Sequence, residues 1–446
     1  MTLLMRRALM TSISLSALFL LLYGGTNWFT AQRSNVGTWY FDWELGLPYV
    51  PLLIVPYMSI DLFFFAAPFL CRSEREMTTF ARRVTFSILV ASTLFLLLPL
   101  TLVWRRPHID GGFGDFVEAS CTVPYLMAYP HNLFPSLHIT LRTILAIHYA
   151  RLTTGFVRVL SDVWFSLIGF STVLTYQHHL IDIAGGFVLA AVAFYLFRES
   201  PPNREIVPNP TLGRRYAVLA GFVVTLAVLT WRWGVFLLPW GVGLGTIAAG
   251  YFGLGPGAYR KEDGKLPWSA RFVLAPVLLG QWLSLRYYAR QCRHWDEVVP
   301  GVWIGRVLSS DEAAIAIQGG VTAVLDLTAE FSETQAFRRG RYCNIQILDL
   351  TAPTAAQIAD AVAFITKEAS RGTVYVHCKI GYSRSAAVVG AYLLTSGHAR
   401  SAEEAIAHLR AVRPTIVVRP ESRRAIEDFS ATVGNFACDS THSKGG

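Results

Sequence analysis

Apolar runs long enough to cross a bilayer recur from the N-terminus to about residue 288, and no other feature narrows the possible folds as far. They lie near 8–28, 48–70, 83–104, 135–150, 160–177, 180–197, 215–231, 233–253 and 270–287. In hydrocarbon every backbone N–H and C=O must be satisfied within its own segment, so these runs are expected as helices. Hydrophobic residues make up 53% of the 446 and charged ones 15%, too apolar for a wholly soluble protein. The net charge of +9 does not point to nucleic acid, because the basic residues lie mainly between the apolar runs.

Those basic residues set an orientation. Arg72, Arg75, Arg82 and Arg83 follow the second run, Arg151 and Arg158 the fourth, Arg198, Arg204, Arg214 and Arg215 the sixth, and Arg260, Lys261, Lys265 and Arg271 the eighth. The intervening loops are poorer in charge. The positive-inside rule then places the N-terminus in the cytoplasm of a plasma (inner) membrane, and Trp104–Pro135 and His178–Asp182 on the outer side. Arg6 and Arg7 precede the first run, but no small-x-small cleavage site follows, so it reads as a span and not as a signal peptide.

Three polar constellations fall on the outer face: Trp104-Arg105-Arg106-Pro107, Phe134-Pro135-Ser136-Leu137-His138, and the segment from Ser171 to Gly186 that carries His178, His179 and Asp182. Ionisable residues at a membrane boundary are candidates for function. His178 and Asp182 are four apart and share a helix face, so the Asp can orient the imidazole for attack. His138 can donate a proton to a leaving oxygen, and Arg106 can hold a phosphate. His131, His148 and His179 read as structural.

Over roughly residues 50–200 these motifs resemble the type 2 phosphatidic acid phosphatase superfamily, in the branch of inositol phosphorylceramide synthase and sphingomyelin synthase. The resemblance implies a phosphohistidine on His178, His138 as the acid, Asp182 as its partner, and Arg106 and Ser136 at the phosphate. The sequence departs from the pattern at Pro99, Leu137 and Thr172, where that family usually has Lys, Gly and Arg.

From about Arg293 the pattern changes to strands alternating with helices, which argues a parallel or mixed sheet covered on both faces. Thr373–Val376 reads as a strand and feeds His377-Cys378-Lys379-Ile380-Gly381-Tyr382-Ser383-Arg384-Ser385, after which a small and apolar run reads as a helix. Strand, tight loop and helix aim successive N–H groups and a helix N-terminus at one anion. The same dipole and Arg384 favour a thiolate on Cys378, and the Arg fork can clamp a phosphate. Lys379, Ile380, Gly381, Tyr382, Ser383 and Arg384 would cradle the phosphate.

Residues 296–430 resemble the dual-specificity branch of the Cys-based protein tyrosine phosphatases, beginning with Pro300-Gly-Val-Trp-Ile-Gly305. The resemblance implies Cys378 as nucleophile, Arg384 as clamp, Ser385 steadying the leaving thiolate and Asp349 as general acid. Asp326, the competing candidate for the acid, sits inside an apolar strand and reads as structural, and Cys343 reads as a core residue, with a reversible disulfide to Cys378 as the alternative. The six Cys are scattered without paired spacing, and neither a cofactor nor a metal is expected.

The expected fold class is a multi-pass α-helical membrane domain followed by a soluble α/β Cys-based phosphatase domain. The expected partition is 1–290 for the membrane domain, 291–295 for a junction, 296–434 for the phosphatase domain and 435–446 for a tail. The expected function is a membrane enzyme with two phosphoryl-transfer sites acting on phospholipids. The alternatives are a membrane-anchored phosphoprotein phosphatase whose first half senses lipid, and a lipid-binding scaffold. Nine spans would put the Cys domain outside, whereas thiolate chemistry favours the reducing cytoplasm, so its side is left open.

Overall fold

A computed structural model describes residues 2–122, 131–200 and 203–442, with backbone alone for 121–122 and 432–442. Residues 123–130 of the expected outer loop, Pro201 and Pro202 of the Pro-rich linker and 443–446 of the tail lie outside the described residues. The chain divides into two units, Met1–Pro201 and Pro202–Gly446.

The first unit is helical: α1 Leu3–Ala31, α2 Ile54–Ala66, α3 Glu74–Leu97, α4 Gly112–Thr122, α5 Leu137–Ala150, α6 Gly155–Leu174 and α7 Leu180–Leu196. Side-chain caps set several starts. Thr2 accepts from Met5 N, Ser73 from Glu76 N and Ser136 from Ile139 N, each satisfying an N–H that the helix leaves open. Phe80, Val84, Ile88 and Ala91 of α3 pack in one buried cluster with Leu137 and Ile144 of α5 and Phe165 and Ile168 of α6. Helices α5 and α7 approach closely at Gly186, where a Cβ would sit 2.6 Å from Ser136 O, and the Thr140 hydroxyl donates to Gly186 O at 3.0 Å. That approach brings the starts of both helices, and their histidines, together.

The second unit begins with α8 Pro210–Leu229, α9 Leu238–Ala249, α10 Trp268–Val273 and α11 Ala275–Ala289. Among the described residues, six helical stretches are long and apolar enough to cross a membrane: Leu3–Ala31, Pro51–Leu70, Glu74–Leu97, Gly155–Leu174, Pro210–Leu229 and Trp231–Leu254. Three of the nine apolar runs differ. The fourth forms α5 of 14 residues and the sixth α7 of 17. The ninth is broken at Leu274 into α10 of 6 residues and α11 of 15. At about 1.5 Å per residue α11 falls short of a hydrocarbon core of about 30 Å.

A sheet domain follows: β1 Trp295–Val299, β2 Val302–Gly305, α12 Ser310–Gln318, β3 Val321–Thr328, α13 Gln335–Arg338, β4 Arg341–Ile347, α14 Ala355–Ala369, β5 Thr373–His377, α15 Arg384–Thr395, α16 Ala402–Val412 and α17 Pro420–His442. The sheet order is β1-β2-β5-β3-β4, with β1 antiparallel to β2 and the other pairs parallel. Central β5 is buried on both faces, with Val374, Tyr375 and Val376 at 0% exposure, as a continuous apolar run in a parallel sheet should be. One face packs on α14, α15, α16 and α17 through Ile358, Ala361, Val388, Leu409 and Phe429; the other meets α12 and α13 through Ala313, Ala316 and Phe337. Residues 378–383 therefore leave the carboxyl end of the central strand and run into α15, the place where open α/β sheets bind ligands.

Candidate active sites

The loop after β5 is fixed by contacts that only its sequence permits. Gly381 has φ +76, and a Cβ there would lie 2.4 Å from Gly305 O, so the loop can fold against β2 only with glycine at this position. Cys378 is buried at its start. Burial alone would push the thiol up, but the Arg384 guanidinium, the Ser385 hydroxyl and the N–H groups of Ser385 and Gly381 outweigh it and hold the thiol below its ordinary range. A thiolate in that setting is a nucleophile facing a cradle of donors.

Arg384 opens α15 and is 2% exposed. Its two terminal nitrogens bind Glu330 at 2.6 and 3.1 Å, one donates to Ile347 O at 2.8 Å, and the other reaches Asp349 Oδ1 at 3.2 Å. Asp349 also binds the Lys379 ammonium through its second oxygen. Burial would raise the Asp349 carboxyl, yet Arg384 and Lys379 prevail and hold it below the usual carboxylate range. Asp349 thus holds two cations that a phosphate in the cavity would contest. Ser383 Oγ lies 2.8 Å from Ser422 Oγ, which ties the loop to α17. Cys378, Lys379, Ile380, Tyr382, Ser383, Arg384 and Asp349 all line one cavity of about 230 Å³.

The rim of that cavity carries residues outside the motifs, of which the sequence singles out only Arg419, as a charge that could attract acidic head groups. Tyr288 of α11, Leu350, Val417 and Arg419 complete it, with Tyr288, Leu350 and Val417 at 42%, 38% and 53% exposure. Lys379 Nζ donates to Gln281 Oε1 of α11 at 2.9 Å. The opposite face of α11 exposes Leu279, Trp282, Leu283 and Tyr287, with Arg286 over the Trp282 ring at 5.3 Å. Trp, Tyr and Arg at the end of a short apolar helix are the residues that settle at a membrane interface.

Behind the loop, Asp326, Glu333 and His377 offer ligand atoms within 4.8 Å of one another, enough in principle for a metal ion. The Lys261 ammonium already supplies a cation there, 2.5 Å from Asp326 Oδ2, so we read the group as an ion-paired cluster. Cys343 pairs with Leu325 of β3, and Leu325 pairs with Val376 of β5, so a whole strand separates Cys343 from the Cys378 segment. Two strand spacings are about 9.5 Å, beyond the reach of a disulfide.

In the first unit, His138 and His178 line one cavity of about 410 Å³ with Tyr57, Asp61, His131 and Gln177. Asp182 Oδ2 stands 3.6 Å from His178 Nδ1 and accepts from His179 N at 2.8 Å. His138 stacks on Tyr57 with centroids 4.1 Å apart. His179 is wholly buried between Trp104 and Tyr40, with Nδ1 3.2 Å from Glu44 Oε2, as a structural histidine should be. The structure keeps two expected phosphate holders apart from this cavity. Ser136 spends its hydroxyl as the cap of α5. Arg106 donates to Tyr176 O and Gln177 Oε1 at 3.2 and 2.7 Å and lines a separate cavity with Tyr49, His108 and Glu118.

Glu330, Lys261, Gln281 and Tyr288 were not found from sequence. Only Lys261 had a signal: a carboxylate inside an apolar strand requires a buried cation.

Comparison with known proteins bears on the second unit. Residues 302–431 match the dual specificity phosphatase catalytic domain. The chain is 30% identical over 167 residues to phosphatidylglycerophosphate phosphatase PTPMT2 of Arabidopsis thaliana, covering 36% of this chain and 72% of that protein. It is 30% identical over 172 residues to human phosphatidylglycerophosphatase and protein-tyrosine phosphatase 1, covering 36% of this chain and 85% of that one. The crystal structure of PTPMT1 aligns at 25% identity over 32% of this chain and 99% of its own, with a TM-score of 0.30. With Cys378 and Arg384 on a strand–loop–helix turn and these relatives beside it, the chain belongs to the dual specificity phosphatase family and carries that family's catalytic domain behind a set of membrane-length helices.

Proposed function

We propose that the Cys378 site removes the phosphate of a phospholipid monoester at the membrane surface. The observation that carries this reading is the cavity rim: Tyr288 belongs to α11, whose outer face is apolar and aromatic, and Leu350 and Val417 extend an exposed apolar edge beside Arg419. A phosphate on a lipid head group can enter such a cavity while its acyl chains remain in the bilayer. The relatives whose names specify phosphatidylglycerophosphate support the same substrate class.

The chemistry follows from the donors. The Cys378 thiolate attacks phosphorus, Arg384 and the loop N–H groups hold the equatorial oxygens, and Asp349 protonates the leaving alkoxide. Asp349 then takes a proton from water, which attacks the phosphocysteine and releases inorganic phosphate, with Ser385 stabilising the departing thiolate. Binding of a phosphate dianion draws Lys379 and Arg384 away from Asp349, which raises its affinity for the proton it must give.

A second site is proposed in the first unit, because His138 and His178 share one cavity with Asp182 behind His178. His178 would accept a lipid phosphate and His138 would protonate the leaving group, giving a lipid phosphatase or head-group transferase. The six membrane-length helices among the described residues, an even number, would leave the Cys domain on the same side as the N-terminus, the cytoplasm, where its thiol stays reduced.

The test uses the purified full chain in lipid nanodiscs. Phosphate release from phosphatidylglycerophosphate in the disc is compared with release from a phosphotyrosyl peptide, for wild type and Cys378→Ser. The reading expects lipid turnover that Cys378→Ser abolishes; peptide turnover without lipid turnover would favour the membrane-anchored phosphoprotein phosphatase instead.

A further inference from the structure

Two buried carboxylates lie directly behind the nucleophile loop. Asp326 is 0% exposed and pairs with His377 across β3 and β5, with Oδ1 3.8 Å from His377 Nε2. Glu333 Oε2 is 2.9 Å from the same nitrogen. His377 immediately precedes Cys378. Left alone, this pair would put negative charge against the residue that precedes the nucleophile.

The compensating cation comes from outside the sheet domain. Lys261 lies in the turn between Tyr259 and Leu266 that joins the apolar helices α9 and α10. Its ammonium is buried and donates to Asp326 Oδ2 at 2.5 Å, Thr328 O at 2.9 Å and Thr328 Oγ1 at 3.1 Å. The turn is pinned in place: Gln346 Nε2 donates to Lys261 O at 3.1 Å, Glu333 N to Gly264 O at 2.7 Å and Leu266 N to Ser332 Oγ at 3.0 Å. Tyr342 closes the cluster by donating to Asp326 Oδ2 at 2.7 Å. With Lys261 in place its ammonium offsets the Asp326 carboxylate, while Glu333 faces His377, whose pKa, despite burial, the two carboxylates raise; without Lys261 the cluster carries one more negative charge.

We propose that Lys261 is a positioning residue of the Cys378 site: by neutralising Asp326 it stops the cluster behind the loop from opposing the thiolate, so the phosphatase centre is completed by the connector between two membrane helices. This rests on Cys378 as the nucleophile. The other charged or titratable groups near Cys378 are Arg384 on α15 and Tyr375 on β5, with Asp349 after β4 and Lys379 in the loop lining the same cavity and Glu330 after β3 paired to Arg384; Arg306 after β2 and Arg413 at the end of α16 lie near Tyr375. The hydrogen bonds of the Lys261 ammonium go to Asp326 and Thr328 and to none of these groups. The inference also means that a fragment cut to the sheet domain alone loses part of its active centre.

The experiment measures alkylation of Cys378 by iodoacetamide against pH in the detergent-solubilised full chain, by mass spectrometry of the Cys378 peptide. Lys261→Met should raise the midpoint by about one unit, the size of one uncompensated charge near a buried group, and slow labelling about tenfold below the wild-type midpoint while leaving the alkaline plateau unchanged. Adding Asp326→Asn to Lys261→Met removes the excess charge and should return the midpoint toward wild type, which a loss of packing would not do. Should Lys261→Met fail to fold, Asp326→Asn alone removes one negative charge and should lower the midpoint. An unmoved midpoint in Lys261→Met, a double variant that stays shifted, or an unmoved midpoint in Asp326→Asn would overturn the proposal. Cys378→Ser turnover separates the two claims: retained turnover removes the nucleophile reading itself, whereas a dead Cys378→Ser with an unmoved midpoint removes only the role of Lys261.

Discussion

Replacing Asp349 by Asn tests the acid–base assignment at the Cys378 site. The amide has almost the same shape, but it cannot give a proton and leaves Arg384 and Lys379 without the carboxylate that both contact. General acid catalysis contributes roughly 10²–10⁴-fold, so kcat/KM on an alkyl phosphate should fall about 10³-fold, equivalent to about 4 kcal/mol. A nitrophenyl phosphate leaves without protonation, and kcat/KM reports only the steps up to phosphocysteine formation. Its kcat/KM should therefore fall less than about tenfold, whereas its kcat should drop with a burst, because hydrolysis of the intermediate also needs Asp349. The alkaline limb of the alkyl-substrate profile, which reports loss of the acid's proton, should disappear. The assay is steady-state and rapid-quench phosphate release by the full chain on both substrates. An equal loss in kcat/KM on the two would refute Asp349 as the proton donor.

Other perturbations give sharp outcomes. Glu330→Gln removes one partner of a buried bidentate pair with Arg384, worth about 1.5–3 kcal/mol for hydrogen bonds to a charged group, so kcat/KM should fall about 10- to 150-fold; an unchanged value would show that Arg384 needs no such holder. In a Cys378→Ser background, His178→Ala should abolish any remaining lipid phosphate transfer, and in the wild-type background it should spare Cys378-dependent turnover. Burial alone would raise the Asp326 carboxyl, but Lys261 and His377 bring it down to about 2. A depressed carboxyl stabilises the fold fully above its unfolded pKa of about 4 and loses that contribution as pH falls toward 2, so hydrogen exchange at β3 should be flat from pH 7 to 5, after correction for intrinsic rates, and accelerate between 4 and 2.

The nucleophile loop was legible because its chemistry is contiguous. Strand, Cys378, Gly381 and Arg384 lie within a dozen residues, and local backbone geometry does the rest. Asp349 was legible because it follows a recognisable strand. Glu330 and Gln281 were not, since each reaches the loop only through the tertiary approach of β3 and α11, and neither sits in a spacing pattern. The break of the ninth apolar run at Leu274 was also hidden: composition reports how apolar a run is, not that Pro276 and the packing of Val273 and Leu274 end one helix and start another. In the first unit the order of motifs led to the shared cavity of His138 and His178. It did not foresee that the Ser136 hydroxyl would be used as a helix cap or that Arg106 would line a different cavity.

The most direct measurement is capture of the covalent intermediate from a lipid. The full chain in nanodiscs is mixed with phospholipid carrying an isotopically labelled terminal phosphate, quenched within a turnover and digested, and the labelled peptide is identified by mass spectrometry. The account predicts label on the peptide containing Cys378, absent in Cys378→Ser. Label that never reaches Cys378 from a lipid, yet does so from a phosphopeptide, would contradict it.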